Sequence, residues 1–223
     1  MFYRHFVFDL DGTLIDSRQD LADAANAMLA TYGAPPLPVA DVVAMVGEGA
    51  RMLVSRALVR AACPDVDVDD ALGRFLTAYD ACLVASTRPY EDVADILARL
   101  HATAHVSVLT NKPQQATDRV LAALGLAPHV HTAIGGDTPF GRKPEPHGLT
   151  TLIAGSGIAA ADTLMVGDSW VDVATAAAAN VDVCLVSYGF GYAGVDAAGR
   201  ARARCTIARF SELAALVPAP STP

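Results

Sequence analysis

The sequence predicts an α/β protein: a doubly wound parallel sheet core with an inserted all-α cap domain. Three observations carry that expectation. Apolar runs of strand length, rich in Val, Ile and Phe, recur along the chain; segments of helical period separate them; and one long interval, residues 17–87, has helical spacing and no strand-like run.

The first run, residues 6–10, reads Phe-Val-Phe-Asp-Leu and is predicted as the leading strand. Residues 106–110, 132–134, 164–168 and 183–186 supply further strands. These runs are continuously apolar rather than alternating, as strands covered on both faces of a parallel sheet are. Residues 116–124, 148–154 and 171–179 carry the helical period between them, and the Ala-rich stretch 174–179 reads as a helix packed closely on the sheet. Strand and helix in alternation give the Rossmann-like pattern. Within the long interval, Pro35-Pro36-Leu37-Pro38, Gly47-Glu48-Gly49 and Cys63-Pro64 cut the text into about four helices, and Thr87-Arg88-Pro89 reads as the return linker. The expected domains are a core of residues 1–16 and 88–223 and a helical cap of residues 17–87.

Composition excludes several classes. At 223 residues, folding removes about 70 per cent of the chain's surface from solvent, enough for a real core. Hydrophobic residues make up 52% and charged residues 18%, far from the disordered range. The net charge of −8 comes from 24 acids and 16 scattered bases, so no nucleic-acid partner is expected. No apolar run reaches membrane-span length, and Arg4 and His5 lead straight into a strand, so neither a membrane partner nor a secretory leader is expected. Cys63, Cys82, Cys184 and Cys205 form no metal-type pair and read as reduced thiols in a cytoplasmic protein. His101, His105, His129, His131 and His147 have no ligand-like grouping and read as surface or packed side chains.

The chemistry lies where the predicted strands end. The first ends in Asp9-Leu10-Asp11-Gly12-Thr13, two carboxylates two residues apart followed by a turn-permitting glycine, at the edge of a parallel sheet where ligands bind. An Asx turn or helix cap by Asp11 and Thr13 would use the same residues. Another strand ends in Leu109-Thr110-Asn111-Lys112, which also suits a helix N-cap before Pro113, and a third ends in Val166-Gly167-Asp168-Ser169, which also suits a cap before Trp170. Asp172 follows four residues after Asp168. Gly141-Arg142-Lys143-Pro144 sets Lys143 in a rigid loop, where a solvated lysine is the plain alternative. Polar termini recurring on several strands of one sheet favour a shared site over separate caps.

Together these motifs resemble the haloacid dehalogenase superfamily of phosphohydrolases, in the subgroup with a small helical cap after the first motif. Val46-Gly47-Glu48-Gly49, Thr110-Asn111-Lys112-Pro113, Gly135-Gly136-Asp137-Thr138, Lys143-Pro144-Glu145-Pro146 and the segment from Ser187 to Tyr192 narrow the resemblance to bacterial phosphoglycolate phosphatases. The resemblance implies a Mg²⁺-dependent phosphomonoester hydrolase. Asp9 would be the nucleophile that forms an aspartyl-phosphate, and Asp11 the acid and then the base. Thr110, Asn111 and Lys143 would hold the phosphate, with Lys143 counted also among the catalytic residues. Asp9, Asp168 and the Asp11 main-chain carbonyl would hold the metal, and Asp172 would be an outer or water-mediated ligand. A carboxylate at position 11 argues against carbon–halogen cleavage.

The implied substrate is a small phosphate ester, foremost 2-phosphoglycolate, hydrolysed to glycolate and phosphate. Its second anion calls for a cation or free amides in the cap. Gly47, Gly49, Arg51 and Arg56 are the candidates, the two arginines being placed on nearly the same helical face, with Glu48 an opposing charge unless it turns away. The rival readings are a phosphatase for a sugar phosphate or nucleoside monophosphate, a phosphomutase, and a non-catalytic phosphate binder, for which the pair Asp9 and Asp11 would be superfluous. A monomer or weak homodimer is expected.

Overall fold

The computed structural model describes residues 2–216. Six strands form one parallel sheet: β1 (His5–Phe8), β4 (His105–Leu109), β5 (Thr132–Ile134), β6 (Thr163–Gly167), β7 (Asp182–Val186) and β8 (Cys205–Ile207). Their order is β5-β4-β1-β6-β7-β8. From β1 the chain builds outward on one side, then returns to build outward on the other. The loops leaving β1 and its neighbours therefore diverge at β1, and a crevice opens at their carboxyl ends.

Side chains alternate across the sheet. Phe6, Phe8, Val106, Val108, Leu164 and Val166 enter one buried cluster, whereas Val7, Leu109 and Met165 enter the other. Both faces are covered by helices: α5 (Val93–His101), α6 (Gln114–Ala123), α7 (His147–Ser156), α8 (Trp170–Ala178) and the short α9 (Ala197–Arg202).

The long interval holds α1 (Arg18–Ala30), α2 (Val39–Val43), α3 (Ala50–Arg60) and α4 (Val68–Cys82), the number of helices its punctuation predicts. Met28, Leu29, Leu53, Val54 and Phe75 from these helices are continuous with the first cluster. Entry and exit of the segment are clasped by β2 (Ile15–Asp16) and β3 (Arg88–Pro89), which pair antiparallel. The return linker is thus a two-residue strand. Behind the clasp, the buried Asp20 carboxylate accepts hydrogen bonds from the Ser86 and Thr87 amides at 2.8 and 2.9 Å and from the Thr87 hydroxyl at 2.7 Å.

The strands lie close to the predicted runs, displaced by about one residue toward the N-terminus where the run included a site residue. Thr110 and Asp168 follow their strands instead of ending them. The first of these leads into a loop before α6, capped by Pro113; the second is followed by Ser169, which caps α8 in a reciprocal pair with Asp172. All four cysteines are free thiols. Among the described residues no helix is long and apolar enough to cross a membrane.

Candidate active site

Strand register assembles the site. Phe8 lies opposite both Val108 and Val166, so Asp9, Thr110 and Asp168 leave adjacent strands within a residue of the same level. Asp9 is held by its own amide, which donates to the Val166 carbonyl at 2.9 Å. After Asp11 the chain turns at Gly12, whose φ of +91° suits glycine; a Cβ there would lie 2.2 Å from Asp168 Oδ2. Gly189 is constrained the same way from the β7 side, where a Cβ would fall 2.2 Å from that of Asp168. The missing side chains are what let the Asp168 carboxylate sit between the two loops.

Lys143 is buried at the centre of the acids. Its ammonium donates to Asp9 Oδ1 at 2.7 Å and to Asp172 Oδ1 at 2.6 Å. The other Asp172 oxygen accepts from the Ser169 amide at 3.0 Å and hydroxyl at 2.7 Å, and Asp168 accepts from the Gly191 amide at 2.7 Å. Burial would lower the Lys143 pKa, but Asp172 and Asp9 outweigh it and hold the ammonium charged. Burial pushes Asp9 up to about 7, with Lys143 pulling down and Asp172 adding to the rise. Burial, followed by the nearby Asp9 and Asp172, pushes Asp168 well above the usual carboxylate range.

These three acids meet a simple test for a cation site. Oxygens of Asp9, Asp168 and Asp172 all lie within 4.8 Å of one another, and one ammonium cannot neutralise three carboxylates. The remaining charge, the all-oxygen donors and the burial fit a hard divalent cation.

Asp11 stands apart from that cluster. Its Oδ1 accepts from the Ser17 hydroxyl at 2.6 Å, and both its oxygens accept from the Lys112 ammonium, at 2.9 and 3.0 Å. Lys112 also donates to the Tyr79 hydroxyl, which α4 brings down from the helical segment. Asn111 joins the two parts of the chain through its side-chain amide, which donates to the carbonyls of Gly47 and Lys143, each at 2.9 Å. Its Oδ1 is buried without a partner among the described residues, as is the hydroxyl of Thr13.

A cavity opens above these groups. Asp9, Asp11, Thr110, Asn111, Lys112, Asp168 and Ser169 form its polar floor; Leu21, Val46, Leu53, Phe75 and Leu76 form an apolar roof, with Gly47 and Gly49 at its edge. Of the cap candidates, the two glycines line the cavity and the two arginines do not. Arg51 pairs with Asp69 on α4, and Arg56 pairs with Glu48 and donates to the Met45 carbonyl at 3.3 Å. Five residues along a helix turn through about 500°, leaving the arginines roughly 140° apart rather than on one face. Glu48 is turned onto Arg56, so its charge is matched there. Lys112 and Tyr79, which line the cavity, were not candidates from the sequence. Lys112 follows Asn111 directly, and that adjacency was the available signal; Tyr79 reads as one more aromatic on an amphipathic helix.

The haloacid dehalogenase-like hydrolase family model matches residues 6–186. Phosphoglycolate phosphatase of Rhodospirillum rubrum is 42% identical over 191 residues, which cover 82% of this chain and 79% of that protein. Phosphoglycolate phosphatase 1 of Pseudomonas aeruginosa is 38% identical over 194 residues, covering 85% and 71%. A crystal structure from Haemophilus somnus, described as a predicted phosphoglycolate phosphatase, superposes with a TM-score of 0.89 at 27% identity, covering 96% of this chain and 97% of that one. A match that begins in β1 and ends with β7 spans every strand that borders the crevice, and on it the chain belongs to the haloacid dehalogenase-like hydrolase family.

Proposed function

We propose that the chain is a Mg²⁺-dependent phosphomonoesterase that hydrolyses 2-phosphoglycolate through an aspartyl-phosphate on Asp9. The observation that carries this reading is the convergence of Asp9, Asp11, Thr110 and Asp168 at the carboxyl ends of adjacent strands under one cavity, with Lys143 paired to Asp9 beneath them. The curated relatives named phosphoglycolate phosphatase support the choice of substrate.

Asp9 attacks phosphorus from its place at the end of β1, and the alcohol leaves with a proton from Asp11. Asp11, two residues on and outside the acid cluster, serves the leaving oxygen in this reading. It then takes a proton from the water that cleaves the acyl phosphate. The Thr110 hydroxyl, the Asn111 main-chain amide and the Lys143 ammonium hold the non-bridging oxygens. Asp9, Asp168 and the Asp11 carbonyl would hold the Mg²⁺, with Asp172 behind them; the ion supplies positive charge that lets a phosphate dianion approach a carboxylate. Residues 17–87 act as a mobile cap over a core of residues 1–16 and 88–223, closing to exclude water during attack and opening for release.

A panel of phosphate esters ranked by kcat/KM tests the substrate. 2-Phosphoglycolate should lead, with inorganic phosphate released in equal amount to ester consumed. A sugar phosphate or nucleoside monophosphate at the head of the panel would replace this reading with another phosphatase, and an isomerised sugar phosphate without free phosphate would replace it with a mutase. Excess chelator should silence turnover and added Mg²⁺ restore it; full activity in chelator would remove the metal.

A further inference from the structure

Between the polar floor and the apolar roof of the cavity sits one buried cation. Among the described residues Lys112 is the only basic side chain that lines the cavity; Lys143 lies beneath, committed to Asp9 and Asp172, and the two candidate arginines pair elsewhere. We infer that Lys112 is the specificity-determining residue that receives the substrate's second anion, the carboxylate, with Tyr79 holding it in place from α4.

This inference rests on the proposed action on 2-phosphoglycolate, and its support is geometric. An acid that protonates the leaving oxygen lies at about 2.6–3.2 Å from it. Lys112 Nζ is 2.9 and 3.0 Å from the two oxygens of Asp11. The ammonium therefore stands within about 6 Å of the ester oxygen, the reach of a carboxylate joined to that oxygen through one carbon. The three hydrogens of the ammonium face the two oxygens of Asp11 and the Tyr79 hydroxyl, and an Asp11 that carries the proton for the leaving oxygen is neutral and leaves the Lys112 charge to the substrate's carboxylate. The surroundings make the charge matter. A carboxylate entering this cavity loses water against Leu53 and Phe75 and meets Asp9 and Asp168 on the floor, so without Lys112 it would be buried unpaired among like charges.

The arrangement also links substrate choice to the position of the helical segment. Tyr79 belongs to α4 and Lys112 to the loop after β4, so the cation is fixed in place when α4 lies over the floor. Lys112 is 6% exposed and Tyr79 3% exposed, which leaves the pair shielded from water.

The test compares 2-phosphoglycolate with ethyl phosphate, which lacks the carboxylate, in the full-length protein. For Lys112→Met the ratio of kcat/KM values, 2-phosphoglycolate over ethyl phosphate, should fall by about 100-fold, as expected for loss of a buried charge-assisted contact. Lys112→Arg should retain part of the ratio, and Tyr79→Phe should lower it by about tenfold or less while the protein stays folded. An unchanged ratio in Lys112→Met overturns the inference, even if both substrates slow together, because a structural role moves both alike. Should Lys112→Met fail to fold, an unchanged ratio in both Lys112→Arg and Tyr79→Phe overturns it. A wild-type protein that shows no preference for 2-phosphoglycolate over ethyl phosphate would instead refute the proposed substrate, a result distinct from either.

Discussion

At the scale of single residues, the site works by unequal sharing of charge. Lys143 is divided between Asp9 and Asp172, so neither acid has a full counterion, while Lys112 faces Asp11 alone among the acids. Asp9, the proposed nucleophile, is thus left with capacity for a further cation, and Asp11, the proposed proton carrier, stands outside the cluster. Asp9→Asn keeps the shape and the hydrogen bond to Lys143 but removes the nucleophilic oxygen. It should lower kcat by at least about 10³-fold with an unchanged fold by circular dichroism; a variant retaining most of its activity would refute the nucleophile. Asp9, Thr110 and Asp168 are legible in the sequence because each directly follows an apolar strand-like run, and register does the rest. The sequence reading puts Arg51 and Arg56 on nearly one face because a single helix does not say which way its arginines turn. Arg51 and Arg56 found partners in Asp69 and Glu48, whereas Lys112, inside a motif already noticed, was hidden by its neighbour Asn111.

At the scale of elements, the two parts of the chain are joined by features smaller than any pattern window. β2 and β3 have two residues each, and no periodicity can announce them. Asp20 reads as an ordinary polar residue in the first turn of α1, yet it is fully buried and binds the backbone amides of Ser86 and Thr87 just before the return strand. Asp20→Ala would leave those amides without partners in the interior and should destabilise the protein by about 2–4 kcal/mol, read from urea unfolding. Asp20→Asn keeps one carbonyl acceptor and should cost less. A loss under about 0.5 kcal/mol in Asp20→Ala would mean that water replaces the carboxylate freely. By contrast α5 buries Val93, Ile96, Leu97 and Leu100 at helical spacing, a pattern present in the sequence between the return linker and β4. β8 escaped notice because a three-residue edge strand following Arg202 and Arg204 lacks the apolar run of its inner neighbours.

At the scale of the whole molecule, the sheet has two chemically opposite ends. Acids gather at the carboxyl ends of the strands, and histidines gather at the other end, where His5 and His105 begin β1 and β4 side by side. The rings of His105, His131 and His101 stack with centroid separations of 4.2 and 4.3 Å, His5 meets His105 edge-on at 4.9 Å, and His129 adds a further edge-on ring 6.2 Å from His101. The sequence reads His101, His105, His129 and His131 as surface or packed side chains without a ligand-like grouping; their mutual stacking needed the fold to appear. His5 is fully buried, 3.0 Å from the Ser107 hydroxyl and 3.3 Å from that of Ser156. Burial, followed by His105 and His131, lowers its pKa to about 4, and burial lowers that of His105 as well. The unfolded chain takes up a proton at His5 near pH 6.5 and the folded chain only near 4, so the stability is fully present above 6.5 and is lost as the pH falls between those values. From pH 7.5 to pH 5 the loss attributable to His5 is about 2 kcal/mol. The acid cluster, considered without a bound cation, acts in the opposite sense, since Asp9 and Asp168 bind protons more readily when folded. Total stability therefore mixes the two ends, and a difference between variants separates them. His5→Gln keeps a polar partner for Ser107 but does not titrate. Its urea-unfolding free energy, whatever its value at pH 7.5, should fall by about 2 kcal/mol less than the wild type on acidification to pH 5; parallel curves for the two proteins would show that His5 is protonated in the fold as readily as out of it.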